Sequence, residues 1–131
     1  MQDSIFTKII KGEVPSHKIY EDERTYAFMD IHPIQPGHVL VVTKTQMPTF
    51  LDLDEADAAA FWNTVRKVGA RLQEHFPEKK RIGVMIEGLE VDHVHAKLFP
   101  IDTGDEFRKE PDVKAEPDHE ALAELAQQLA F

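Results

Sequence analysis

The sequence predicts an α+β fold: a five-stranded antiparallel sheet, one long helix packed on it, and short helices near the two termini. Three observations predict it. Strand-like and helix-like stretches follow one another in the order β-β-β-α-β-β, which suits hairpin connections rather than repeated parallel crossovers. Phe61, Val65, Val68, Leu72 and Phe76 recur at spacings of four and three, the signature of one long amphipathic helix. From Val91 to Phe99 the chain alternates at the strand period, sending His93, His95 and Lys97 to one face and Val94, Ala96 and Leu98 to the other. At 131 residues, a single domain spanning 1–131 has enough chain for one core without staples.

Each element has its own local cause. Ile5, Phe6, Ile9 and Ile10 fall on one helical side, and Gly12 then supplies a C-terminal stop, so a short first helix is expected over residues 4–11. Ile19, Tyr20, Tyr26, Phe28 and Ile31 mark two strands, 18–22 and 25–30, joined by a polar turn at Glu21 to Arg24. Asp30 to His38 contains Pro33, Pro36 and Gly37 and is expected to be a fixed loop. Val39-Leu40-Val41-Val42 is too apolar for an exposed edge and reads as a central strand, with His38 at its entrance.

Asp52 with Glu55 three residues on resembles a capping box opening the long helix, which Pro77 closes, with Arg66, Lys67 and Arg71 on its wet side. Arg81 to Glu87 is the next expected strand, Gly88 a turn or bulge, and residues 91–99 the partner strand, which Pro100 is expected to end because it lacks an amide donor. Residues 101–131 form a C-terminal arm and helix: 101–117 is charged, proline-bearing and aperiodic and reads as an extended surface arm, and Leu122, Leu125 and Leu129 mark the helix.

Composition excludes several classes of function. There are no cysteines, so disulfides and thiolate metal ligands are unavailable, and no apolar run approaches membrane-spanning length. The expectation is a soluble, cytoplasmic protein with no membrane partner. A formal charge of −9 opposes a broad phosphate-backbone interface, so no nucleic-acid partner is expected. A small phosphorylated ligand needs only a local pocket, and residues 93–97 supply part of one.

Two histidines at i and i+2 on a strand admit three readings: a metal site, a nucleophile with its support, or half-buried polar residues. Context weighs against the last, because Lys97 follows on the same face, Gly88 precedes the strand and His38 opens another strand. Zinc on His93, His95 and His38, with Asp30 as a further carboxylate, has Lys97 as a poor neighbour and no cysteine to complete it, so no metal is assigned. The nucleophilic reading fits better. A neutral imidazole attacks phosphorus to form a phosphoramidate, provided a hydrogen bond at its other nitrogen fixes its tautomer. His93 and His38 are candidates for that support, and Lys97 for neutralising phosphate charge. Asp92 faces away from Lys97 and pairs with it only if the strand is distorted.

Four blocks in order carry a resemblance: Ile5 to Pro15, Asp30-Ile31-His32-Pro33, Pro36-Gly37-His38-Val39-Leu40-Val41-Val42, and Gly88-Leu89-Glu90-Val91-Asp92-His93-Val94-His95. Over roughly its first hundred residues the chain resembles the histidine triad (HIT) family of nucleotide hydrolases and transferases. The resemblance implies a HIT-like fold and a homodimer with a continuous sheet. It implies that His95 is the nucleophile that takes the nucleotidyl group, that His93 supports it and that His38 completes the network. It further implies that Asp30 holds the ribose hydroxyls, that Phe6, Ile9 and Ile31 lie near the base, and that Gly88 belongs to the substrate-binding segment. Phe6, Ile9 and Ile31 are equally expected as plain core.

The departures are specific. Lys97 stands where the family's third histidine would be, a position the transferase branch fills with glutamine. Lysine is expected to clamp charge rather than relay protons, slowing turnover or favouring good leaving groups. Ser4 and Thr7 stand where many bacterial relatives carry a Cys-x-x-Cys zinc half-site, so neither structural zinc nor any required cofactor is expected. Leu89 replaces a glutamine often found after the glycine, removing a polar phosphate neighbour. The function expected is hydrolysis of nucleoside phosphoramidates or dinucleoside polyphosphates through a nucleotidyl-His95 intermediate, the ligand being a purine nucleotide or its conjugate. The alternatives are a purine-nucleotide-binding module with little turnover and a plain structural partner protein.

Overall fold

A computed structural model describes residues 2–131. Helix α1 (Ile5–Ile10) is followed by strands β1 (Lys18–Glu21), β2 (Thr25–Met29) and β3 (Val39–Thr43), the long helix α2 (Glu55–His75), β4 (Arg81–Met85), β5 (His95–Ile101), the short α3 (Gly104–Phe107) and α4 (His119–Leu129). The five strands form one antiparallel sheet in the order β1-β2-β3-β5-β4. This is the α+β architecture expected, with β3 at the centre and all five of its residues buried.

The β1–β2 hairpin closes on Asp22, whose Oδ1 accepts from the Arg24 and Thr25 amides at 2.9 and 2.8 Å and from the Thr25 hydroxyl. That local satisfaction of backbone donors is why an aspartate begins the turn. These donors also hold the Asp22 carboxyl below its ordinary pKa, outweighing the burial that pushes the other way. Helix α2 lays Phe61, Val65, Val68 and Leu72 against the sheet, where they meet Met29, Val39, Val41, Ala96 and Leu98. On the opposite sheet face, Phe6 and Ile9 of α1 pack with Tyr26, Phe28, Leu40 and Val42. The sheet therefore has a thick core on one side and a thinner apolar layer, interrupted by histidines, on the other.

Five local expectations are corrected. Helix α2 is capped by Asp54, which accepts from the Asp57 amide at 2.8 Å, whereas Asp52 closes a capping box with Thr49 on a separate 3-10 turn. Residues 91–94 are irregular and β5 begins only at His95, because the Val94 amide bonds the Met47 carbonyl at 2.8 Å outside the sheet ladder. Pro100 does not end the strand, which runs on to Ile101. Pairing with β3 stops at Leu98, so Pro100 has only β4 beside it, where a residue without an amide donor is tolerated. The 101–117 segment is not uniformly extended, since Thr103 caps α3. Nor is Arg71 merely solvated: it donates to the Leu129 and Gln128 carbonyls at 3.0 and 2.8 Å, tying down the C-terminal end of α4.

Candidate active site

His95 is the first residue of β5, 4 % exposed, on the sheet face away from α2. Its Nδ1 lies 2.7 Å from the carbonyl oxygen of His93, which only accepts, so Nδ1 carries the proton and Nε2 keeps its lone pair. His93 is fixed by the same logic. Its Nε2 donates to the Thr43 carbonyl at 2.6 Å, leaving Nδ1 to accept from the Ser4 hydroxyl at 2.6 Å. Phe6 lies edge-on against both rings, with centroids 5.7 and 4.9 Å away. Burial lowers the pKa of both imidazoles, outweighing the backbone acceptors that favour the charged forms, and Lys97 lowers His95 further. Both are neutral at pH 7, as an attacking imidazole and its support require.

His38 enters from the loop before β3. Gly37 makes that entry possible: its φ is +88°, and an added Cβ would lie 2.8 Å from the Phe76 ring. His38 Nδ1 accepts from the Ile34 amide at 3.0 Å, which places the proton on Nε2. That buried Nε2–H has no hydrogen-bond partner among the described residues; the carboxylate of Asp30 is 3.6 Å away. Burial pushes the His38 pKa down to about 4 against the opposing pull of Asp30, so the ring stays neutral and its donor is left for a ligand.

A cavity of about 320 Å³ collects these groups. His95, His38, Lys97, Asp30, Ile31, Phe6 and Ile9 all line it, and Phe6 and Ile9 are at once core and wall. Its size suits a small molecule. His93 stands behind His95 rather than on the wall, and Gly88 does not line the cavity either. The Gly88 contribution is indirect: its φ of +62° turns the chain so that the Leu89 amide meets Glu87 Oε2 at 3.1 Å. The other Glu87 oxygen holds Lys97 Nζ at 3.1 Å. The partner of Lys97 is thus Glu87, not Asp92. Two lining features escaped the sequence reading: the acidic Glu87 and Glu90, and Pro111 and Val113 of the C-terminal arm. Alternation beyond the end of β4 was the available signal for Glu87; nothing local announced the arm, whose position depends on tertiary packing.

Residues 11–104 match the HIT domain. The chain belongs to the histidine triad family. It is 33 % identical over 104 residues to the purine nucleoside phosphoramidase of Escherichia coli K12, covering 75 % of this chain and 87 % of that one. It is 32 % identical over 120 residues to the bifunctional bis(5'-adenosyl)-triphosphatase/adenylylsulfatase of Arabidopsis thaliana, covering 88 % of this chain and 63 % of that one. A Bartonella henselae crystal structure, described as a Hit-like protein involved in cell-cycle regulation with unknown ligand, shares 32 % identity and a TM-score of 0.82, covering 98 % and 97 % of the two chains. At the level of the family, these relatives support nucleotide hydrolase and phosphoramidase chemistry.

Within this HIT chain, the place of the zinc half-site is taken by a hydrogen-bonded clamp. The Ser4 amide and the Thr7 hydroxyl donate to Gln46 Oε1 at 2.8 and 2.6 Å, and Gln46 Nε2 donates to the Gln2 carbonyl at 2.8 Å. Two hydroxyls, an amide and one imidazole whose free nitrogen already accepts from Ser4 do not fit a structural zinc, which takes thiolates and imidazoles. The clamp joins α1 to the loop after β3 and to His93. Ser4 also caps α1, accepting from the Thr7 amide at 3.0 Å. Ser4→Ala is therefore expected to cost about 2 kcal/mol, a lost cap plus an unpaired buried His93 nitrogen, and to lower Tm by roughly 5–10 °C. Ser4→Thr should retain most of it; equal losses in the two variants, followed by thermal denaturation, would remove the hydroxyl's role.

Proposed function

We propose that the protein hydrolyses nucleoside phosphoramidates or dinucleoside polyphosphates, with His95 Nε2 as the nucleophile. The observation that carries this reading is the tautomer lock, His95 Nδ1–H on the His93 carbonyl, which leaves an unprotonated Nε2 in a cavity that also holds an unpartnered His38 donor. In the first step the Nε2 lone pair forms a bond to the α-phosphorus, and the bond to the leaving nitrogen or oxygen breaks, its electron pair departing with the leaving group and taking up a proton from solvent. In the second, water attacks the same phosphorus, the P–Nε2 pair returns to His95 and the water proton goes to solvent. The products are a nucleoside monophosphate and an amine or nucleotide.

The other groups have distinct parts in this reading. His38 Nε2–H donates to a phosphoryl oxygen, and Lys97 offsets its charge as a clamp rather than a proton relay. Asp30 receives the ribose hydroxyls, while Phe6, Ile9 and Ile31 flank a purine base. The Ser4, Thr7 and Gln46 clamp lets His93 be held without zinc, and no cofactor enters either step. The outer edge of β4 has no strand partner among the described residues, and Val84 and Trp62 are exposed, which supports pairing into a homodimer through that edge. No helix among the described residues is long and apolar enough to cross a membrane, and with the absence of cysteine this supports a cytoplasmic location.

Covalent trapping tests the reading. Incubation with a purine nucleoside phosphoramidate or dinucleoside polyphosphate labelled at the α-phosphorus, followed by rapid quenching, should leave acid-labile, base-stable label on the peptide containing His95 and release nucleoside monophosphate. Saturable binding without label or product would instead establish the second reading, a nucleotide-binding module, which the replacement of a third histidine by Lys97 favours.

A further inference from the structure

The charge distribution around Lys97 bears on what leaves the phosphorus. Among the described residues Lys97 is the only lysine or arginine on the cavity wall, and it is already paired: Glu87 Oε1 lies 3.1 Å from its ammonium. Glu87 is not a loosely placed surface carboxylate. Its second oxygen accepts from the Leu89 amide across the positive φ of Gly88, so backbone geometry fixes it where it faces Lys97. The register supports the same placement, because Met85 pairs with Lys97 and Glu87 follows two residues beyond Met85. Both side chains are largely shielded, 29 % and 22 % exposed, and neighbouring donors hold the Glu87 carboxyl below its ordinary pKa, so it is ionised at neutral pH. With Glu90 and Asp30 also on the wall, the cavity carries three carboxylates against one ammonium.

Such a cavity repels a polyanion. A nucleoside di- or triphosphate leaving group brings several negative charges toward Glu87, whereas an amine leaving group brings none, and an amine bearing a second, protonated amino group brings a charge that Glu87 can pair with. The chain's formal charge of −9 acts in the same direction at longer range. The unpartnered donor of His38, 1 % exposed, provides for one phosphoryl group without needing Lys97 free of Glu87.

Resting on the reading of His95 as the nucleophile at this site, we propose that Glu87 determines leaving-group specificity, selecting nucleoside 5'-phosphoramidates whose amine carries a further cationic group over dinucleoside polyphosphates. Glu87 acts on the leaving group and on Lys97; it takes no proton and forms no bond. The reacting atoms are unchanged: the P–Nε2 bond to His95 forms, the P–N bond to the amine breaks, and the amine nitrogen keeps the electron pair and takes a proton from solvent.

Three probes test this on the full-length protein: adenosine 5'-phosphate joined through nitrogen to 1,4-diaminobutane, the same nucleotide joined to n-butylamine, and a dinucleoside tetraphosphate. The native chain is expected to show kcat/KM about ten-fold higher for the diamine conjugate than for the butylamine conjugate, one partly shielded ion pair being the difference. Glu87→Gln should bring that ratio to near one and raise relative activity on the tetraphosphate, with an unchanged circular-dichroism spectrum as the folding control. Equal rates for the two conjugates in the native chain, or a diamine preference that survives in Glu87→Gln, overturns the proposal. Competition binding of the same probes to His95→Ala separates the two readings. A Glu87-dependent preference seen there, without covalent label in the native chain, sustains the role of Glu87 and removes the nucleophile. Label without any such preference does the reverse.

Discussion

His95→Ala is expected to lower kcat/KM for a purine nucleoside phosphoramidate by at least about 10⁴-fold and to abolish the covalent label, because it removes the atom proposed to bond phosphorus. Comparable losses follow removal of a nucleophile elsewhere, while what survives reflects binding and electrostatic stabilisation by the remaining groups. Here those groups are intact in the variant. His93 keeps its bonds to Thr43 and Ser4, and His38 keeps its lock on Ile34. Binding of the nucleoside monophosphate product, measured by calorimetry, should therefore change by no more than about three-fold while turnover collapses, a split that simple unfolding would not produce. A binding module gives the opposite result, with little basal turnover to lose. If His95→Ala retains more than a tenth of native activity, Nε2 attack is not the route.

The strand alternation that groups His95 and Lys97 is legible because one face of β5 must meet the core; Ala96 and Leu98 are drawn under α2, and the intervening residues have no choice but the other side. The same period misassigns the start of the strand. His93 and Val94 obey it in sequence yet leave the ladder, since the Val94 amide finds the Met47 carbonyl, a partner no local pattern encodes. The tautomer lock on His95 depends on that departure: it uses the backbone carbonyl of His93, which an ordinary cross-strand ladder would have engaged.

What remained hidden shares one property, long separation in sequence. Ser4 and His93 are 89 residues apart, and Gln46 and Ser4 are 42 apart, so neither pairing follows from spacing. Ser4 and Thr7 read as the loss of a metal half-site, whereas folded they form a hydrogen-bonded clamp with Gln46 beside His93. Glu87 was nearer to reach. It lies on the face that continues from Met85, but its pairing with Lys97 needs the turn at Gly88 as well as the antiparallel register, and Asp92 was the more obvious carboxylate by sequence distance. Composition marks the arm as charged surface, and it is mostly exposed, yet Pro111 and Val113 reach the cavity because α4 draws the chain back over the loop before β3.

Acidification from pH 6.5 to 4 is expected to remove about 3 kcal/mol of stability through His38 alone. In the unfolded chain its imidazole titrates near the ordinary value of 6.5, while in the fold its pKa is about 4. Between those values the unfolded state binds a proton that the folded state refuses, so the contribution is complete above 6.5, declines as pH falls, and is exhausted once pH drops below 4. His93 and His95 are lowered by the same burial and add in the same direction below pH 6.5. Against a typical total of about 5–15 kcal/mol this is a large share. The carboxylates of Asp22 and Glu21 have lowered pKa values, so their losses fall chiefly below pH 4.5 and deepen at lower pH, which separates them from the histidine phase. Urea midpoints taken from pH 7 to 4 should fall steeply in the native chain. They should fall less steeply in His38→Gln, whose amide oxygen can still accept from the Ile34 amide but does not titrate. Parallel curves for the two proteins would mean that His38 is not held neutral, and the free donor proposed for a phosphoryl oxygen would go with it.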